Sequence, residues 1–213
     1  MSLNELFENL HNKRTFISER DCEFIDSLRG QYSKRGSLSS SQEFHLVRLT
    51  EKYSNEAIAE NVSFHKDYEN YRLNAVRCAH YYRGQGVGYY SYIVEKVLND
   101  ESGHTLTKDE YRKICENKYA KKVIASYDSP ARFKTGDMVQ IRKSNMIAKL
   151  NDTLGGRKYS NKLCLVTKVD ATYITRAAKG ARVYEILVIG GASTMLAHES
   201  DLKLPRSSKG GRK

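Results

Sequence analysis

Cationic side chains are concentrated in the last part of this chain. Residues 131–213 contain 17 Lys or Arg against 6 Asp or Glu, whereas residues 1–130 contain 19 of each kind. The formal net charge of +11 at pH 7 therefore belongs to one segment. Lysine and arginine at such a density bind the phosphate groups of a polyanion, which is usually a nucleic acid. We therefore predict a surface for DNA or RNA within residues 131–213.

This excess charge lies in three stretches. The segment 143–162 separates two predicted strands and carries five cations against the single acid Asp152. A second group surrounds an Ala-Ala-Lys-Gly turn at residues 177–180, and the tail 206–213 has a composition that predicts disorder until a polyanion binds. Ordinary solvated charge is the alternative interpretation of each stretch. The predicted phosphate-binding residues are Arg142, Lys143, Lys149, Arg157, Lys158, Lys162, Lys168, Arg176, Lys179, Arg182, Arg206, Lys209, Arg212 and Lys213.

Tyrosine is also unevenly used. Residues 68–92 contain seven of the fifteen tyrosines, with three arginines among them. Aromatic rings interleaved with arginine can stack on exposed bases while the cations hold phosphates. Several of these rings follow a helical apolar stripe, which favours core packing for them. Tyr81, Tyr89 and Tyr92 cannot be placed on that stripe, so they are the candidates for base stacking or for a protein interface.

Catalytic patterns do not compete with a binding function. The six histidines are scattered, and His80 has no partner at the spacing of a metal site. The Gly84-x-Gly86-x-Gly88 sequence follows a predicted helix rather than a strand, so it indicates a helix breaker and not a dinucleotide loop. No nucleophile elbow, P-loop or paired-carboxylate motif occurs. We expect no catalytic residues, no metal and no cofactor.

The cysteines and the hydropathy pattern indicate the cellular compartment. The four cysteines lie far apart without a C-x-x-C pair, which is typical of reduced core thiols. No run approaches the roughly 20 apolar residues of a membrane span. The N-terminal segment lacks the apolar region of a secretory signal. We expect a cytoplasmic protein that makes no membrane contact.

Helical periodicity dominates the first 127 residues. Ser18-Glu19-Arg20-Asp21, Ser40-Ser41-Gln42-Glu43 and Thr107-Lys108-Asp109-Glu110 are helix starts of the N-cap and capping-box kind. An apolar stripe from Phe64 to Tyr82 predicts one helix of about five turns. We predict about five helices packed as a bundle-like domain. The first two form a hairpin whose predicted loop, Gln31–Ser39, is longer than the turn of a helix-turn-helix.

Alternating strand patterns replace the helices after Pro130. Segments with β-branched residues occur at 133–142, 163–169, 172–175, 182–189 and 194–197, and glycines stand between several of them. Short strands at this spacing indicate a small barrel or a sandwich.

The opening Phe133-x-x-Gly-Asp-x-Val-x-Ile, the strand Leu163-x-Leu-Val-Thr-Lys-Val and the ending Glu199-Ser-Asp-Leu resemble Src-homology-3-like small barrels. They are similar to KOW-type modules of ribosomal and transcription-elongation proteins and to small barrels of phage proteins. The resemblance covers about 75 residues and implies an architecture more than a function. Such barrels bind RNA, DNA or proteins.

The sequence therefore predicts an α+β protein, with an all-helical domain (1–127), a Src-homology-3-like small β-barrel (131–205) and a disordered basic tail (206–213). The predicted function is that of a nucleic-acid-binding accessory protein of a phage, acting in replication, transcription or genome packaging inside the infected bacterial host. The rival is an assembly component that binds RNA polymerase, a ribosome or a virion surface. A nuclease or modifying enzyme with a site assembled from distant residues is a third possibility.

Overall fold

The computed structural model describes residues 2–86, 88–142 and 159–205. Its fold is α+β, with eight α-helices followed by a five-stranded antiparallel sheet. The chain divides into two compact units, residues 1–67 and residues 68–213. The change from helices to strands near residue 130 does not coincide with this division, because the second unit contains four helices as well as the sheet. None of the described helices is long and apolar enough to cross a membrane.

Four helices form the first unit. They are α1 (Leu3–Asn12), α2 (Glu19–Arg35), α3 (Ser40–Lys52) and α4 (Asn55–Lys66). Apolar residues of α1, α2 and α3 meet in a core that includes Phe7, Leu10, Leu28 and Leu46. The spacing of these residues by three or four positions along each helix places them on one face, which is then removed from water.

The connection between α2 and α3 is shorter than the sequence predicts. Residues 31–35 continue α2, and the helix ends only at Gly36, which has a φ of 73°. Glycine adopts this left-handed conformation easily, and its N–H donates to the carbonyl of Tyr32 at 2.8 Å. Ser39 caps α3 in a capping box with Gln42. Four residues therefore join the two helices, and the predicted nine-residue loop Gln31–Ser39 is wrong.

Four further helices belong to the second unit: α5 (Glu69–Arg83), α6 (Ser91–Leu98), α7 (Lys108–Cys115) and α8 (Lys118–Asp128). The stripe that predicted one long helix from Phe64 to Tyr82 runs across the end of α4 and the start of α5. The stretch after Thr107 is also two helices, because Asn117 interrupts it. The Asn117 side chain caps α8 by accepting hydrogen bonds from the N–H groups of Tyr119 and Ala120. Periodicity continues across both breaks, which accounts for two of the three helices missing from the predicted five; the third is α1, which was not predicted.

The sheet contains β1 (Met138–Ile141), β2 (Leu163–Val169), β3 (Val183–Val188), β4 (Thr194–His198) and β5 (Leu202–Lys203). The strand order is β4-β3-β2-β1-β5, and all neighbours are antiparallel. Alternate residues point to one face and build a core that includes Val139, Val166, Tyr184 and Ile186. Among the described residues the sheet is open, since β4 and β5 do not pair with each other, so the predicted barrel is not confirmed.

Residues 172–175, predicted as a short strand, form an irregular segment that packs on helices of the same unit. Ile174 is buried and its N–H donates to the Tyr127 hydroxyl at 2.8 Å. The Tyr173 ring stacks on His80 of α5 with 3.5 Å between ring centroids. Gln85 Nε2 donates to the carbonyl of Thr175 at 2.7 Å. These contacts satisfy groups that a strand would have paired with the sheet, which explains the failed strand prediction.

Candidate nucleic-acid interface

One end of the sheet collects three cations. Arg142 directly follows β1, Lys162 directly precedes β2, and Lys203 lies in β5. Because β1 lies between β2 and β5, its residue Gln140 stands opposite both Leu163 and Lys203. The three cations, which we call the strand-end cluster, therefore come from three adjacent strands. Arg142 and Lys162 are exposed, and Lys203 is partly exposed.

Backbone and side-chain hydrogen bonds fix the geometry of the strand-end cluster. The Arg142 N–H donates to the carbonyl of Asp201 at 2.7 Å, and its Nε donates to the carbonyl of Leu202 at 3.0 Å. This second bond aligns the guanidinium along β5. An arginine held in this way is a preorganised partner for phosphate, since its planar fork matches two phosphate oxygens.

Asn161 positions the two lysines of the cluster. It has a φ of 61°, a left-handed conformation that asparagine tolerates better than most residues. Its Oδ1 accepts a hydrogen bond from Lys203 Nζ at 3.2 Å, and its carbonyl accepts one from Gln140 Nε2 at 3.0 Å. The tight turn thus places Lys162 directly before β2. It also holds the ammonium group of Lys203 beside the Asn161 side chain.

The carboxylates of the sheet region are engaged in internal contacts. Glu199 accepts a hydrogen bond from the Tyr184 hydroxyl at 2.8 Å, and Asp137 accepts one at 2.8 Å from a backbone N–H three residues earlier. Burial raises the pKa of Tyr184, so this phenol stays neutral and remains a donor. Asp201, whose carbonyl binds Arg142, has a buried side chain. Acidic groups therefore compete little with an incoming phosphate at the strand-end cluster.

Arg182 does not belong to this surface. The residue is only 7% exposed, and its Nη2 donates to the carbonyls of Ser126, Tyr127 and Ser129 at 2.8 to 2.9 Å. Its Nε lies 3.4 Å from a carboxylate oxygen of Asp170. The guanidinium binds the last carbonyls of α8, which attract cations because helix dipoles are negative at their C-termini. Arg182 therefore anchors the sheet to α8, and we remove it from the phosphate-binding candidates.

The remaining described candidates occupy other positions. Arg176 Nη2 donates to Ser200 Oγ at 3.2 Å, beside the 3-10 turn that leads into β5. Lys179 is exposed on the neighbouring turn. Lys168 stands directly opposite Glu185, which offsets its charge. It also lies six residues beyond Lys162, about 20 Å along β2, so a single phosphate cannot contact both.

Eight predicted residues lie outside the described residues: Lys143, Lys149, Arg157, Lys158, Arg206, Lys209, Arg212 and Lys213. The segments 143–158 and 206–213 together supply eight cations and one acid, which is seven of the eleven surplus charges. Both segments join the described structure near the strand-end cluster, because 143–158 follows Arg142 and 206–213 follows shortly after Lys203. Sequence reasoning missed Lys203, whose position is decided by the pairing of β5 with β1.

The three candidate tyrosines separate into two groups. Tyr81 is 6% exposed and packs against Tyr82, so it belongs to the core of the second unit. Tyr89 and Tyr92 are among the most exposed aromatic residues of the described chain. The structure adds Tyr119, which is 56% exposed at the start of α8. Its i+4 neighbour Val123 is buried, although a spacing of four residues places both on neighbouring positions of the helix surface.

His80 has partners that the sequence did not indicate. Its Nε2 lies 2.9 Å from Glu101, and its Nδ1 lies 2.9 Å from Arg83 Nη2. Arginine can only donate, so Nδ1 accepts and Nε2 carries the proton. Burial lowers the pKa of His80, although Glu101 opposes this effect. The imidazole is thus a neutral link between α5, Glu101 and the stacked Tyr173. Within the described ranges, no three His, Cys, Asp or Glu residues converge as a metal site.

No protein-family model matches this chain, and it matches neither a curated protein nor a solved structure.

Proposed function

We propose that this protein is a nucleic-acid-binding accessory protein and that the strand-end cluster (Arg142, Lys162, Lys203) binds the phosphate backbone. The observation that supports this proposal best is the position of three cations at the same end of three adjacent strands, where the acidic side chains are buried or internally bonded. Affinity for phosphates in such a site is electrostatic and independent of sequence. The proposal does not distinguish DNA from RNA.

The charge of the two units supports the same proposal. Residues 1–67 contain 9 Lys or Arg against 11 Asp or Glu, whereas residues 68–213 contain 27 against 14. All of the surplus positive charge therefore belongs to the unit that carries the sheet. A polyanion is attracted to that unit over several ångströms before contact, which increases the association rate at low salt.

We further propose that the sheet is a small barrel of the Src-homology-3-like or KOW kind. A four-stranded meander, a last strand that returns to pair with β1, and a 3-10 turn before that strand support this architecture. A phage origin, and action in replication, transcription or packaging inside an infected bacterium, remain proposals drawn from this resemblance.

The test compares two full-length double variants in which the same charge is removed. Lys162→Gln with Lys203→Gln removes two cations of the strand-end cluster. Lys34→Gln with Lys66→Gln removes two exposed lysines at the C-terminal ends of α2 and α4. Binding to a labelled duplex is measured by fluorescence anisotropy over a series of salt concentrations. We expect the first pair to lower the slope of log K against log salt by about 1.8, or about 0.9 for each lost contact.

The control pair is expected to leave that slope unchanged, because it lies in the unit without surplus charge. Equal slopes for both variants and the wild type would contradict the proposed role of the cluster. A wild-type protein that binds neither DNA nor RNA at low salt would refute the proposed function itself.

The outer face of the sheet favours an assembly component as the second candidate function. Met138, Leu163 and Ile189 expose apolar side chains on β1, β2 and the end of β3. Ile189 donates its N–H to the carbonyl of Leu163, so these two residues are neighbours across the strands. Contiguous exposed apolar surface is typical of protein interaction sites. Retention of a stoichiometric protein partner, such as RNA polymerase, after nuclease treatment would support this function.

A further inference from the structure

Exposed tyrosines gather in the second unit, away from the sheet, around the start of α6 and the start of α8. Tyr89 is 58% exposed, Tyr119 is similarly exposed, and Tyr90 is partly so. Tyr89 and Tyr90 directly precede α6, and Tyr119 lies in the first turn of α8. Exposed aromatic rings that are grouped at one surface are more informative than rings that are exposed singly, because groups mark interaction sites.

Two buried tyrosines, Tyr81 and Tyr82, lie next to exposed ones. The Tyr82 ring lies 5.0 Å from the ring of Tyr90 and 5.0 Å from that of Tyr81, both in edge-to-face geometry. Tyr119 is close enough to Tyr81 to interact with it electrostatically. Burial raises the pKa of Tyr82 to about 12, so this ring is neutral at physiological pH. The exposed ring of Tyr90 therefore packs on a buried pair of tyrosine rings, which limits its motion.

Tyr90 is held in an unfavourable backbone conformation. Its φ of 54° lies in the left-handed region, which is costly for a bulky residue. Gly88 is only two residues away, and a glycine at position 90 would adopt this φ at little cost. Strain of this kind persists where the surrounding structure imposes it, and it concentrates at functional sites. Here the conformation places the partly exposed ring of Tyr90 against the buried ring of Tyr82.

Cations flank this aromatic group. Lys118 and Lys122 are exposed on α8, and Tyr119 lies between them in sequence and three residues before Lys122. Residues three or four apart share a helix face, so Lys122 is a neighbour of both the Tyr119 ring and Lys118. The nearest acid in sequence, Glu116, pairs with Arg112 at 3.5 Å. Tyr92 is left out of the group, because exposed Glu95 follows it by three residues on the same face of α6.

We propose that Tyr89, Tyr90 and Tyr119 form a stacking platform for unpaired bases, with Lys118 and Lys122 on the adjacent phosphates. This inference rests on the proposed function and names single-stranded nucleic acid as the preferred class of ligand. The faces of bases in a duplex are already stacked, so only a single strand offers them to tyrosine rings. Protein interfaces are enriched in tyrosine but depleted of lysine, which favours nucleic acid over a protein partner at this surface.

The experiment uses the full chain and a labelled thymidine oligomer of about 12 nucleotides. Tyr89→Leu with Tyr119→Leu keeps apolar surface but removes the rings, while Tyr89→Phe with Tyr119→Phe keeps the rings. We expect the leucine pair to bind the oligomer roughly fivefold to a hundredfold more weakly, and the phenylalanine pair to bind it like the wild type. Affinity for a duplex of equal length should change little in either pair.

Wild-type affinity of the leucine pair for the oligomer would overturn the platform. If the Lys162→Gln, Lys203→Gln variant still binds more weakly in that case, the proposed function survives without the platform. If the wild type binds neither oligomer nor duplex, both proposals are wrong. A protein that is retained by the wild type after nuclease treatment and lost with the leucine pair, without any change in oligomer binding, would assign the rings to a protein interface. Both residues are exposed, so the variants are expected to fold, as a circular dichroism melt will verify.

Discussion

Replacing Arg182 tests whether this residue is an internal anchor or a phosphate contact. The side chain is almost completely buried, and it joins β3 to the C-terminal end of α8 through three backbone carbonyls. Arg182→Met keeps much of the apolar stem but removes the guanidinium. Arg182→Lys keeps the positive charge but replaces the planar fork by a single ammonium group.

The expected loss of stability follows from these contacts. A hydrogen bond from a charged donor contributes about 1.5–3 kcal/mol, and the three bonds share one nitrogen, so they are not additive. The ion pair with Asp170 adds little, because that carboxylate is 42% exposed and screened by water. We expect Arg182→Met to lower the free energy of unfolding by about 3–4 kcal/mol, and Arg182→Lys to lower it by about 1–2 kcal/mol.

Urea denaturation followed by tyrosine fluorescence measures this loss of stability in the second unit, which contains Arg182. The protein has no tryptophan, and 13 of its 15 tyrosines lie in the second unit. With a slope of about 2 kcal/mol per molar urea, the methionine variant should lower the midpoint by about 1.5–2 M. Lys168→Gln, at an exposed strand position, serves as the control and should change stability by less than about 0.5 kcal/mol.

Two results would refute this reasoning. One is a midpoint for Arg182→Met that equals the control. The other is a smaller salt slope of nucleic-acid binding for Arg182→Met with an unchanged slope for Arg182→Lys, since that pattern belongs to a surface phosphate contact. The structural role predicts the reverse, which is reduced stability with an unchanged salt slope of the folded protein.

Three further perturbations follow from the structure. Gly180→Ala should destabilise the protein by about 1–3 kcal/mol in urea titrations, because Gly180 has a φ of 69° and an added Cβ would lie 3.0 Å from the backbone nitrogen of Ser200; an unchanged midpoint would contradict this. Burial lowers the pKa of His80 and His198 below the ordinary value of 6.5, so the unfolded chain takes up protons first as the pH falls. Melting temperatures should therefore be highest above about pH 6.5 and decrease below it, and substituting both histidines by glutamine should flatten this dependence. Ser39→Ala removes the N-cap of α3 and should cost about 1 kcal/mol by circular dichroism, whereas Ser39→Asp should retain the cap.

Several local features agree between sequence and structure because neighbouring residues decide them. The capping box of Thr107 and Glu110 starts α7, since both hydrogen bonds lie within one helical turn. The strand predicted at 163–169 has the observed bounds of β2. The breaks at Asp67 and Asn117 were missed because apolar spacing continues across them, and spacing alone does not reveal where a helix ends.

The candidate site was less accessible to sequence reasoning. Arg142 and Lys162 were predicted, but their convergence with Lys203 depends on β5 pairing with β1. Tyr81 and Tyr89 have the same side chain and lie eight residues apart, yet one is buried and the other is exposed. Residue type and spacing did not separate them, because the turn between α5 and α6 changes which direction the side chains face.

By itself, the sequence determined the α+β class, the location of the surplus positive charge beyond residue 130, and the starts of α2, α3, α7, β2, β3 and β4. These properties depend on composition or on hydrogen bonds between residues a few positions apart. Only the tertiary structure decided which cations lie at the surface and which have internal partners. Arg182 donates to carbonyls 53 to 56 residues earlier in the chain, and a cation with such internal acceptors is not available at the surface. Whether a side chain is buried depends on residues that are distant in the sequence, and a local sequence pattern does not identify those residues.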